Sequence, residues 1–381
     1  MNNHYHVDPD ITIASTLAGT FYHDAAIYAL ARNRVFARTW QWIGDLTDVK
    51  APNTLSPREL LPGVLGEPLL LARDTNGELR CLSNVCTHRG NLLVKQSCQA
   101  EQIRCDYHSR RFDLRGRMTF MPEFGEAKNF PATSDDLPIV PFADWANHGF
   151  AALNPVAPLE EFLTAMKTRL QWLPIEQYRF DATRSRDYVI GANWALYVEN
   201  YLEGFHIPFV HPGLNQALDY GSYASELHRF SNLQWALAKD GQPAFIPPAG
   251  CPEFGQRVAA YYWWVFPNMM FNFYPWGLSV NLVQPEAIDR TRVAFRTYVW
   301  DERKIESGTG AALHQVEMED EAIVQAVQRG TQSRLYGKGR YSPTREQGTH
   351  HFHRLLCEFL YCRTSESAGP STGAMMETGE S

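Results

Sequence analysis

Two stretches of this chain hold residues whose types and spacing could bind metal. The first runs Cys86-Thr87-His88 and, sixteen residues on, Cys105-Asp106-Tyr107-His108. Two thiolates and two imidazoles can hold zinc, or they can hold a [2Fe–2S] cluster in which cysteines bind one iron and histidines the other. Structural zinc sites usually space like ligands as pairs, whereas each loop here offers one of each kind. A division that gives one iron both thiolates and the other both imidazoles requires such mixed loops. Cys81 and Cys86 match the opening of a plant-type ferredoxin motif, but Arg89 stands where its third cysteine would be. Cys81 and Cys98 fit no ligand pattern and read as buried small apolar residues.

The second stretch runs from Asn193 to His206 and closes at His211-Pro212. Placed on a helix at about 100° per residue, Trp194, Val198, Tyr201, Leu202 and Phe205 share an apolar face, and Glu199, Glu203 and His206 share the opposite one. A solvated polar face is one reading. A metal site is the other, because the face leads into His206-Ile207-Pro208-Phe209-Val210-His211, a proline-interrupted turn that sets a second imidazole among bulky apolar residues. Two histidines and one carboxylate with open positions are the donor set of non-haem Fe(II) oxygenases, so a further acid is required downstream. Asp320 is the first candidate. In the helix expected over His314–Gln328, Val316, Ile323, Val324 and Val327 form an apolar stripe with Asp320 in its middle and Glu317 and Glu321 off it. An acid facing a core is costly unless it is paired or binds metal. Glu319, at the edge of the stripe, is the runner-up, and a hydrogen-bonded helix residue is the plainer alternative.

These side chains need carriers, and 381 residues, 44% hydrophobic and 13% aromatic, are enough for two domains. Residues 1–40 read as a helical arm, since Ala25, Ala26, Leu30, Ala31 and Val35 recur at helical spacing. Residues 41–155 read as a small antiparallel β domain, with short apolar runs punctuated by Asp74, Asn76, Gly77 and Gly116. After the linker Asn154-Pro155-Val156-Ala157-Pro158, residues 156–364 mix helices with aromatic strands such as Tyr261–Phe266, an α+β domain. Residues 365–381 carry too little apolar content to order themselves. A formal charge of −7 gives no basic field for nucleic acid. No stretch reaches the roughly 18 apolar residues of a membrane helix, and the first residues show no signal pattern. Neither nucleic acid nor membrane is expected as a partner, and the cytoplasm is the expected location. Seven cysteines, an odd number, argue for thiols and metal ligands over a disulfide framework.

Cys86-Thr87-His88-Arg89-Gly90 and Cys105-Asp106-Tyr107-His108 resemble the two cluster loops of Rieske proteins. Residues 193–214, with Glu319-Asp320 and Val327-Gln328-Arg329-Gly330 downstream, resemble the catalytic domain of Rieske non-haem iron oxygenase α subunits, the aromatic-ring-hydroxylating dioxygenase family. The wording from Tyr197 to His206, and Gly339-Arg340-Tyr341-Ser342-Pro343, look most like the subgroup of choline monooxygenase and the betaine and carnitine oxygenases. Glu203 is part of that likeness, because arene dioxygenases usually have Asp there.

The resemblance implies a Rieske [2Fe–2S] cluster with Cys86 and Cys105 on one iron and His88 and His108 on the other. It implies mononuclear Fe(II) on His206, His211 and Asp320. Glu203 would carry electrons and protons between a cluster histidine and an iron histidine, with Asn200 a second catalytic candidate. The implied fold is α+β, an antiparallel Rieske domain plus a helix-grip (START-like) catalytic domain with a large antiparallel sheet. The implied assembly is a homotrimer in which the cluster of one subunit serves the iron of the next.

The implied activity uses O₂ and electrons from a separate flavin/iron–sulfur NAD(P)H reductase, since the chain has no Gly-x-Gly-x-x-Gly dinucleotide fingerprint. It hydroxylates or N-dealkylates a small organic substrate of the quaternary ammonium or N-methylated kind, with arene hydroxylation or pure electron carriage as alternatives. One departure stands out. Many relatives continue the second loop with Gly-Trp, where this chain has Ser109-Arg110-Arg111-Phe112, so the hydrogen bonds tuning the cluster are expected to differ. Trp263, Trp264, Phe266, Phe271, Phe273, Tyr274 and Trp276 could include an aromatic cage for a cation, although ordinary core suits most of them better. Phe205, Met269, Phe271 and Asn281 are pocket candidates by their place in the resemblance.

Overall fold

The computed structural model describes residues 4–361, and the unordered tail expected at 365–381 lies outside them. Helix α1 (Ala25–Arg34) opens at Asp24, whose carboxylate accepts from the N–H groups of Ala26 and Ile27. Its buried residues are Ile27 and Ala31, while Ala25 and Ala26 face out, a narrower inner stripe than the spacing implied.

Three small antiparallel sheets occupy residues 41–151. β1 (Gln41–Asp45) pairs with β10 (His148–Ala151), which pairs with β9 (Phe142–Trp145). The second sheet runs β4 (Leu79–Ser83), β3 (Glu67–Arg73), β2 (Thr54–Leu60), β5 (Cys98–Gln99). The third runs β6 (Ile103–Arg104), β7 (Arg111–Phe112), β8 (Met118–Phe120). Side chains close the turns between such short strands. Asp74 accepts from the N–H groups of Asn76 and Glu78 as the chain reverses between β3 and β4.

A seven-stranded antiparallel sheet fills the second half, in the order β11 (Arg179–Ile190), β17 (Arg290–Val299), β16 (Gly277–Ala287), β15 (Met269–Tyr274), β14 (Val258–Val265), β13 (Ser231–Ala238), β12 (Leu218–His228). β14 and β15 are almost wholly buried on both faces, which explains why their sequences run apolar without alternating. Trp263, Trp264, Phe266, Phe271 and Phe273 are fully buried core, as expected for most of that group. Helix α2 (Leu159–Leu170) packs on β13 and β14, and α3 (Trp194–Tyr201) packs on β16. Two short helices follow α3, α4 (Ile207–Val210) and α5 (Pro212–Ala217). Helices α6 (Leu313–Gly330) and α7 (Gln347–Tyr361) then pack against α3. This is a mixed α+β architecture, and no helix among the described residues is long and apolar enough to cross a membrane.

Candidate metal centres and cavity

Cys86 follows β4, Cys105 follows β6, and the two loops are built alike. The Cys86 N–H donates to the Asn91 carbonyl (2.8 Å) and its carbonyl accepts from the Gly90 N–H (3.0 Å). The Cys105 N–H donates to the Arg110 carbonyl (2.8 Å) and its carbonyl accepts from the Ser109 N–H (3.0 Å). Each loop reverses through a left-handed residue, Gly90 at φ +71° and Ser109 at φ +60°. Ser109 holds that conformation with a Cβ, at a position that favours glycine. Ser109→Gly is therefore expected to stabilise the protein by about 0.5–1 kcal/mol, after the looser unfolded chain is allowed for. Thermal unfolding of the holoprotein checks this, and a lower Tm would contradict it. Arg110 is 2% exposed, donates to Asp135 at 2.5 Å and lies over Phe112 and Phe130.

Cys86 and Cys105 are buried, and the imidazoles of His88 and His108 lie at the partly exposed edge with ring centroids 4.8 Å apart. Burial pushes the Cys86 thiol up, against the His88 N–H that points at it. At Cys105 burial is outweighed by the N–H groups of Tyr107 and His108, the Cys86 thiol and the Asn91 side chain, so that thiol lies below its usual range. His108 Nδ1 is buried without a hydrogen-bond partner among the described residues, as a ligating nitrogen would be. Of the other cysteines, Cys81 is buried and its thiol pushed up to about 12 by burial. Cys98, expected to be buried, is exposed, because it sits on the two-residue strand β5 at the edge of its sheet.

Helix α3 begins where the Asn193 side chain accepts from the Ala195 N–H at 3.0 Å. It stops at Tyr201, so Glu203 and His206 lie beyond it, not on one continuous helical face with Glu199. Glu199 turns away to accept from the Tyr22 hydroxyl at 2.7 Å. Gly204 permits the turn, since a Cβ there would sit 2.4 Å from the Tyr223 ring. The Glu203 carboxylate caps the turn, accepting from the N–H groups of Phe205 and His206 (3.1 Å) and meeting His206 Nδ1 at 2.6 Å. His211 Nδ1 meets Glu319 at 2.7 Å, and Gln315 donates to the same carboxylate at 2.7 Å. With both Nδ1 atoms held by carboxylates, both Nε2 atoms face Asp320 Oδ1, at 3.5 Å from His206 and 3.0 Å from His211.

The donor atoms of His206, His211 and Asp320 lie within 4.8 Å of one another. Two imidazoles and one carboxylate suit Fe(II) with open positions, and the outer carboxylates set the ring orientation. Burial pulls the His211 pKa down, but the Asp320 and Glu319 carboxylates outweigh it and raise it. A divalent cation at the Nε2 atoms would take the place of that proton. Glu319, the runner-up acid, stands behind His211 at Nδ1.

The inner face of α6 is rotated from the expected stripe. Glu317, Val324 and Gln328 are buried, while Ile323 and Val327 are 40% and 43% exposed. Polar residues face inward because partners wait there. Glu317 accepts from the Tyr197 hydroxyl at 2.7 Å, and Gln328 accepts from the Asn193 N–H at 3.0 Å. Asp320 remains on the inner side, beside a cavity of ≈ 100 Å³ lined by the triad, Glu203, Glu317, Asn200, Asn281 and the five tyrosines Tyr197, Tyr201, Tyr223, Tyr262 and Tyr274. Among the described residues, no Lys or Arg lines it. Asn281 and Tyr274 were legible as pocket candidates. Phe205 is not one, being 42% exposed at the surface, and Met269 and Phe271 are enclosed in the core away from the lining. The other four tyrosines and Glu317 escaped sequence reasoning as cavity residues, because they come from α3, β12, β14 and α6 with no local pattern to join them.

Residues 39–131 match the Rieske [2Fe-2S] domain family, and residues 171–360 match the ring hydroxylating alpha subunit (catalytic domain) family. The chain is 29% identical over 370 residues to the chloroplastic choline monooxygenase of Arabidopsis thaliana, covering 92% of this chain and 84% of the relative. It is 26% identical over 359 residues to the carnitine monooxygenase oxygenase subunit of Escherichia coli K12, covering 91% and 94%. Among solved structures, a quaternary ammonium Rieske monooxygenase aligns with a TM-score of 0.75 at 24% identity, covering 92% and 96%. Naphthalene 1,2-dioxygenase from Rhodococcus sp. aligns at 0.70 and 18%, covering 90% and 93%. These structural likenesses show a shared fold. The two matched families span both candidate metal centres in chain order, and the protein belongs to the Rieske non-haem iron oxygenase α subunits, oxidoreductases that carry a [2Fe–2S] cluster and a mononuclear iron.

Proposed function

We propose that this protein is a monooxygenase that oxidises or N-dealkylates a quaternary ammonium or N-methylated compound. The observation that carries the reading is the cavity beside the triad, with tyrosine rings, three carboxyl groups and, among the described residues, no Lys or Arg. Aromatic faces and carboxylates both attract a cation, whereas an arene gains nothing from the acids. The relatives named as choline and carnitine monooxygenases support a quaternary ammonium substrate.

In this reading Cys86, Cys105, His88 and His108 hold the cluster, and His206, His211 and Asp320 hold the iron. Those two groups, when bound, supply single electrons and O₂ activation. The chain itself positions the substrate and excludes water. Glu203 holds the His206 ring through Nδ1 and is the bridge toward a cluster histidine, Asn200 borders the iron side of the cavity, and the tyrosines present the head group. One oxygen atom enters the substrate and the other leaves as water, with two electrons and two protons consumed. Where the oxidised carbon is bound to nitrogen, the resulting hemiaminal separates into an aldehyde and an amine. A flavin/iron–sulfur NAD(P)H reductase is the proposed electron donor, and a homotrimer the proposed assembly. Residues 41–155 and 156–364 are the proposed cluster and catalytic domains. A reducing compartment such as the cytoplasm suits the free thiols of the described cysteines.

Turnover of choline, betaine, carnitine and simple aromatics with reductase, NADH and O₂, with products identified by mass spectrometry, tests the reading. Oxidation of the aromatics alone would move it to the arene alternative. Iron and sulfide analysis should find about three irons per chain, two in the cluster and one in the triad. A zinc-only preparation without a Rieske EPR signal after iron reconstitution would overturn the whole assignment.

A further inference from the structure

Glu317 is 3% exposed and lines the cavity beside the triad. One oxygen accepts from the Tyr197 hydroxyl at 2.7 Å, and the other, Oε1, is buried with no hydrogen-bond partner among the described residues. The other two acids of the cavity are engaged, Glu203 by two N–H groups and His206, Asp320 by both histidines. An unpartnered buried oxygen is costly. Because a quaternary ammonium carries charge without an N–H to donate, it is recognised by nearby aromatic faces and an anion, which Tyr197, Tyr201 and Tyr262 and this carboxyl provide together.

We propose that Glu317 is the specificity determinant for the cation, its carboxylate facing the quaternary nitrogen within the tyrosine cage and selecting a charged head group over a neutral one of equal shape. This rests on the quaternary ammonium reading above. An arriving cation supplies the positive charge that the free Oε1 lacks.

Calorimetric binding of choline and of 3,3-dimethylbutan-1-ol, its uncharged carbon isostere, to the oxidised holoenzyme tests the assignment. Wild type should prefer choline. Glu317→Gln keeps the size of the side chain and an acceptor for Tyr197, yet should weaken choline at least about tenfold while moving the isostere by less than about twofold. Tyr197→Phe should fall between. Cluster absorption, iron content and Tm are read alongside. A Glu317→Gln protein that keeps its preference for the cation, or that loses both probes equally, overturns this assignment alone. A wild type with no preference for choline, carnitine or tetramethylammonium over neutral isosteres overturns both it and the quaternary ammonium reading. Should Glu317→Gln not fold, Tyr197→Phe carries the same contrast, since removing the hydroxyl that steadies the carboxylate should weaken choline alone, and equal loss on both probes rejects the role.

Discussion

Asp320→Ala and His206→Ala should each abolish turnover and strip the mononuclear iron while leaving the Rieske EPR spectrum intact. The triad donors come from the turn after α3 and from α6, whereas the cluster donors come from loops after β4 and β6, with no shared side chain. Losing an outer-sphere partner typically costs 10–100-fold in metal affinity or activity. Glu319→Gln, which loosens His211 at Nδ1, should fall in about that range, and loss of a direct ligand should exceed it. Metal analysis of the purified variants, with cluster EPR as the internal control, decides between the two acids. Full iron in Asp320→Ala with none in Glu319→Ala would exchange their roles.

Glu203→Gln should leave iron content and cluster reduction near wild type while slowing transfer from cluster to iron by about 10–100-fold. The carboxylate accepts two N–H groups and meets His206 Nδ1, and its side chain is 16% exposed, so part of it remains open toward a neighbour. Glutamine offers one acceptor oxygen and two N–H donors. It can cap the turn or face the imidazole, but not both, and it carries no charge. Single-turnover reoxidation of the reduced cluster with O₂ and substrate measures the step. Glu199→Gln serves as the control, because Glu199 is bonded to Tyr22 and points away from the triad. Equal rates for Glu203→Gln and wild type would remove Glu203 from the path.

The donor types were legible along the chain because metal chemistry restricts them to Cys, His and Asp or Glu. Mixed Cys/His loops and His206-x₄-His211 are local patterns that survive any packing. The α+β class was legible as well, from turn residues punctuating the first half and aromatic strands in the second. Helical periodicity failed in two places. It ran α3 on through Glu203, where Gly204 and the Glu203 cap end the helix. It also turned α6 so that Ile323 and Val327 faced in, where Glu317 and Gln328 do. A hydrophobicity pattern sees apolar area and is blind to a hydroxyl or N–H waiting on the neighbouring helix.

What the sequence by itself determined is therefore the inventory, two sets of metal donors on two kinds of scaffold. Tertiary structure alone decided which acid stands in front of a histidine and which behind it. Asp320 and Glu319 are adjacent, and about 100° of helical rotation sends one to the Nε2 atoms and the other to Nδ1 of His211. It also decided the character of the cavity. Five tyrosines from α3, β12, β14 and β15 and two acids from α6 meet there because sheet register and helix packing bring together side chains that no span of sequence holds side by side.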